Sequence, residues 1–171
     1  RQNSSFDYLV LLQMTGNEAL VQESRTPIQK AVEKKNTPLL ITNGFSTLAL
    51  IFHPVFQHAF EYGPPEEVVA DGRDMLAVRF RHVRGAPSPS ALRLRGHDYP
   101  VEWQGTAWID AANGVIVRIE ADLEAPMEDV GLKEMHADVR YGPVIFNNQP
   151  AAYWLPQTAT IEVETPRQHW R

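Results

Sequence analysis

Histidines and carboxylates carry most of the chemistry open to this chain. It has six histidines, no cysteine, and 21 acidic residues against 16 basic ones. A transition-metal centre needs three or four donors gathered at about 2 Å. His53 and His58 stand five apart around Pro54, not at the i, i+4 spacing that stacks two imidazoles on one helix face. His82, His97, His136 and His169 are scattered. This dispersion predicts no metal centre, and no cofactor is expected. Were a metal found, His53, His82, His97 and His136 would be the first candidates. The lack of cysteine excludes disulfides, thiolate zinc sites, iron–sulfur clusters and thiol nucleophiles. Glu120, Asp122 and Glu124 share one face of a strand-like run, with Glu102 and Asp110 on the neighbouring run. Paired carboxylates perform acid–base chemistry when burial splits their pKa values. Alternation puts these on a wet face, which predicts a solubilising surface. The sequence contains no G-x-S-x-G, P-loop, G-x-G-x-x-G or H-E-x-x-H motif, so the expectation is a protein that is not an enzyme.

Charge and aromatic placement bear on partners. The net charge of −5 disfavours indiscriminate nucleic-acid binding. Arg73, Arg79, Arg81, Arg84, Arg93 and Arg95 cluster, while Asp98 to Glu164 is acid-rich. Two readings stand open: a basic patch for an anionic partner, or cross-strand charge pairing. Trp103 is expected to point inward and Trp108 outward; an outward tryptophan on a polar face suggests a contact surface. The longest apolar stretch, 48–60, is too short and too interrupted to span a bilayer, so no transmembrane segment is expected.

The elements that must position these residues are mostly strands. With 171 residues, a single domain over 1–171 is the expectation. Phe6 to Met14 reads as a strand, Thr15-Gly16-Asn17 as a turn, and Ala19 to Glu23 as the returning strand. Thr26 to Asn36 reads as a loop or short helix. Leu48, Ile51, Phe52, Val55, Phe56, Ala59 and Phe60 follow the i, i+3, i+4, i+7 pattern of one helix face. That pattern predicts a helix over 46–61, capped by Ser46 or Thr47, kinked at Pro54 and stopped by Gly63-Pro64-Pro65. Beyond Pro65 the period is 2. Met75 to His82, Val101 to Asp110, Val115 to Glu124, Glu134 to Tyr141 and Ala159 to Glu164 all alternate. Asn113-Gly114 marks a hairpin between the second and third of these. The apolar positions of the third are read as Val115, Val117, Ile119, Ala121 and Leu123. The helix needs an apolar partner, and the sheet supplies it. The fold expected is mainly β (α+β), a curved antiparallel sheet forming an open half-barrel wrapped over one kinked hydrophobic helix.

Two runs carry a family resemblance. Gly105-Thr106-Ala107-Trp108-Ile109-Asp110 followed by Asn113-Gly114-Val115-Ile116-Val117-Arg118-Ile119-Glu120 resembles a hairpin of bacterial envelope proteins of the lipoprotein-carrier type, including the LolA and LolB carriers and the RseB-like sensor domain. Asp138-Val139-Arg140-Tyr141 with Tyr153-Trp154-Leu155-Pro156 resembles their closing strands. The resemblance covers mainly 95–164. It implies an unclosed barrel with helices as a lid, a periplasmic or otherwise extracytoplasmic location in a bacterial envelope, and a lipid, lipoprotein or envelope-protein partner. No signal peptide is visible, as expected of a processed chain.

Two functions follow from these expectations. The first is a non-enzymatic extracytoplasmic domain that binds a hydrophobic ligand, lipid or lipoprotein between helix and sheet. Its lining would be Leu48, Phe52, Phe56, Phe80, Trp103, Val117, Ile119 and Val139. The second is an envelope interaction or sensor module whose core is filled by its own side chains. Its working surface would be the outer face or an edge.

Overall fold

The computed structural model describes residues 6–16, 18–27, 41–42, 45–94, 97–147 and 150–164. Twelve strands account for most of them: β1 Phe6–Thr15, β2 Glu18–Pro27, β3 Ile41–Thr42, β4 Phe60–Tyr62, β5 Glu66–Ala70, β6 Arg73–His82, β7 Ala91–Leu94, β8 His97–Pro100, β9 Trp103–Asp110, β10 Ile116–Leu123, β11 Glu134–Ile145 and β12 Ala152–Glu164. All pairings among them are antiparallel. The expected hairpin at Thr15-Gly16-Asn17 forms the two-stranded ladder β1–β2. β3, β7 and β8 make a three-stranded sheet. The main sheet has seven strands in the order β12-β11-β10-β9-β6-β4, with β5 also on β6. β4 and β5 lie one after the other along β6, separated by Gly63-Pro64-Pro65. Neither proline has an N–H to give to a ladder, so one edge strand becomes two. Of the segment read as a loop or short helix, 28–36 lies outside the described residues.

The helix expected over 46–61 is not there, and with it falls the half-barrel wrapped over a kinked helix. Phe45–Phe52 and Gln57–Ala59 are 3-10 turns, and Phe60 already belongs to β4. Among the described residues there is no α-helix. Pro54 explains much of this. It has no N–H for the Leu50 carbonyl, the acceptor four residues back. The His53 N–H bonds that carbonyl instead, three residues back, at 2.9 Å. The Tyr62 hydroxyl then donates to the Ile51 carbonyl at 2.6 Å, which fastens the returning chain onto the turn. The apolar spacing was a mixture of periods. Leu48 with Ile51, and Phe56 with Ala59, are three apart and buried, as a 3-10 turn eclipses side chains at i, i+3. Phe52 and Val55, the positions that only a 3.6 period would bury, are half-exposed. Among the described residues no helix is long and apolar enough to cross a membrane.

The 3-10 segment still covers the apolar face of the main sheet. One cross-strand row on that face runs Val78, Ala107, Ile119, Val139. Leu48, Ile51, Phe56 and Phe60 join these strands in one core, together with Leu92, Trp103 and Leu132. The loop Gly85–Ser90 is pinned to it by a buried Thr47–Ser90 hydroxyl pair at 2.9 Å, and the Ser88 hydroxyl donates to the Val101 carbonyl at 2.6 Å.

Candidate functional site on the charged face

Six of the eight residues expected to line a ligand cavity are buried in the core: Leu48, Phe56, Phe80, Trp103, Ile119 and Val139. Phe52 is half-buried and packs against them, with its ring edge-on to Phe80 at 5.8 Å. Phe60 meets Phe80 the same way at 6.2 Å. Val117 does not join them. The β9–β10 register pairs Ile116 with Ile109 but Arg118 with Trp108, so a bulge falls at Val117. A bulge inserts one residue and flips the alternation around it. Ile116 therefore packs on the core, whereas Val117 lines a cleft with Trp108 and Arg118.

That cleft lies on the opposite, charged face. The register aligns Ala77, Trp108, Arg118, Arg140 and Thr158 in one row across five strands. Trp108, Arg118 and Arg140 of this row line an open cleft of about 340 Å³. Its floor is the apolar part of the lining, Met75, Val117 and Trp108, while Tyr141, a core residue, borders it. Its polar side chains come from Asp71, Arg73, Arg118, Arg140 and Gln157, with Trp154 beside them. The β5–β6 connection is the two-residue turn Asp71-Gly72, with φ of 52° and 72°. Asp-Gly suits a turn with both central φ positive. This turn brings the Asp71 carboxylate to 3.8 Å from the Arg140 guanidinium on β11. On a flat sheet β6 and β11 would lie about 14 Å apart, three strand spacings. The contact therefore means that the sheet curls toward its charged face here.

The cleft wall is rigid where Arg118 stands. Arg118 donates to both oxygens of Asp138, at 2.9 and 2.8 Å, and also pairs with Glu120. Its guanidinium carbon sits 5.0 Å from the Trp108 ring centroid, in cation–π geometry. The bond from Arg118 holds the Asp138 carboxyl below the usual range, and the same bond raises the Arg118 guanidinium. Trp154 is fixed by an indole N–H donated to the Ile116 carbonyl at 2.6 Å. Gln157 packs over Gly142, where a Cβ would come within 2.5 Å of its side chain, and donates to the Pro143 carbonyl at 3.1 Å.

The other expected groups are in ordinary places. Glu124 pairs with Arg81 at 2.7 Å, Glu66 with Arg79 at 3.0 Å, and Asp122 with His136 at 2.7 Å. Arg79 and Arg81 thus pair with acids across the sheet, whereas Arg73 and Arg84 make no ion pair among the described residues. Arg93 is described only in its backbone and Arg95 not at all. Among the described residues no group of three or more His, Asp or Glu side chains could hold a metal. His169 lies outside them.

Sequence reasoning found Trp108 and its outward direction but missed the cleft. Two signals were present: Asp71-Gly72 is a hairpin dipeptide, and alternation already put Arg118 and Arg140 on the face of Trp108. Next to the cleft, Ile145, Phe146, Tyr153 and Leu155 are large apolar side chains left exposed on β11, β12 and their connection. Compared with protein-family models, curated proteins and solved structures, the chain matches none.

Proposed function

We propose that this chain is a non-enzymatic interaction module that works from the charged face of its sheet, and not a carrier that takes an apolar ligand into its core. One observation carries this reading: side chains nominated to line a ligand cavity instead pack on one another, with Ile119 and Val139 fully buried. A well-packed interior has no room for an acyl chain. The exposed cluster Ile145, Phe146, Tyr153 and Leu155 supports the same reading, because exposed apolar patches beside polar groups mark contact surfaces. The cysteine-free composition and the hairpin resemblance support a place in a bacterial envelope, with an envelope protein as partner.

The test is a titration with a fluorescent fatty acid. The unmodified protein should show no saturable binding that Phe52→Trp weakens. Saturable binding to the unmodified protein, weakened by Phe52→Trp, would overturn the proposal.

A further inference from the structure

The charged-face cleft has the composition of a small-ligand site. We propose that it binds a small organic anion with a planar apolar body, the anionic group held by Arg73 and Arg140 and the ring lying on the Trp108–Met75–Val117 floor. This rests on the reading that the charged face is the working face, and it names the ligand class for that face.

The charges in the cleft are not equally committed. Arg118 is matched by Asp138 and Glu120, both outside the cleft lining, so it positions Trp108 and offers little to a ligand. Arg140 faces Asp71 at 3.8 Å, a loose contact between exposed side chains of the kind that contributes little. Arg73 makes no ion pair among the described residues. One loosely held carboxylate thus stands against two guanidinium groups beside the apolar floor. Guanidinium forks suit carboxylate and phosphate oxygens. A volume of about 340 Å³ is at the small end for ligand pockets, room for one or two fused rings. The floor is preorganised. Met75 is buried, Trp108 is held under Arg118, and Trp154 is tied to the Ile116 carbonyl. Little ordering is left to be done on binding.

The experiment is a tryptophan-fluorescence titration with 1-naphthoate, set against 1-naphthalenemethanol, which has the same ring and no charge. Naphthoate should bind saturably and the alcohol at least about tenfold more weakly. Arg73→Gln and Arg140→Gln should each weaken naphthoate about tenfold. Val117→Trp should block it by filling the floor, and Arg84→Gln, an exposed arginine outside the cleft, should leave it unchanged. All four positions are at least partly exposed, so folding should survive these changes. Equal binding of acid and alcohol, insensitivity to both arginine variants, or no binding of naphthoate would each overturn the anion site. None of these results touches the charged-face reading. Naphthoate binding abolished by Phe52→Trp and indifferent to Val117→Trp would overturn that reading as well.

Discussion

His136 and Asp138 sit two apart on the charged face, and each has a partner on β10 that shifts its titration. The bond to Asp122 raises the His136 pKa above its ordinary value. The unfolded histidine titrates near pH 6.5. The stabilisation from this pair is therefore complete below about pH 6.5 and fades as pH rises through the higher folded value. NMR titration of the His136 ring should place its midpoint above that of a free histidine, and Asp122→Asn should bring it back down; an unshifted midpoint in the parent would contradict this. Asp138 moves the other way. Its contribution is present above the unfolded value of about 3.9 and is lost as pH falls through the depressed folded value. Asp138→Asn should destabilise by about 1–2 kcal/mol, a range set by a charged hydrogen bond that is partly open to solvent. It should also change Trp108 emission, because Arg118 loses its anchor. Unchanged emission would mean that Arg118 does not depend on Asp138 to hold the ring. At this scale the sequence was informative where alternation is strict, as at Trp108 and Ile119. It failed at Val117, because Ile116 and Val117 are both apolar and nothing local says which one a bulge will turn outward.

The elements differ in how firmly their sequences specify them. The β9–β10 hairpin was legible from Asn113-Gly114. The structure shows the reason: the Asp110 carboxylate accepts from the N–H groups of Ala112 and Asn113 at 2.9 and 3.3 Å, and Gly114 takes φ 71°. Gly105 in the same hairpin has a packing role. A Cβ there would sit 2.0 Å from the Glu120 carbonyl oxygen on β10. Gly105→Ala should cost about 1–3 kcal/mol, the range for forced overpacking. A denaturation midpoint equal to the parent's would show that the two strands part without strain. The 48–60 segment was legible as core but not as structure. Apolar spacings of 3 and 4 occur together in it, and only the hydrogen-bond consequence of Pro54 separates a 3-10 turn from a helix. Phe56→Ala should still cost about 3–5 kcal/mol, since burial of the ring does not depend on the type of turn that carries it. A loss under about 1 kcal/mol would mean the site collapses readily or is not packed.

The whole molecule sets the cleft, which explains why no local pattern announced it. Asp71 and Arg140 approach only because the strands from β6 to β11 curl together, and curvature follows from bulges and twist summed over the sheet. The antiparallel sheet itself was legible, because period-2 runs fix it strand by strand. Its two faces then divide the work in this account: one buried and filled, the other charged and open to a ligand. Methyl-resolved NMR during titration with dodecanoate tests that division most directly. The methyl resonances of Leu48, Ile51, Ile119 and Val139 should stay in place as the fatty acid is added. Saturable shifts concentrated on those four residues would contradict it and show that the core opens to take a chain.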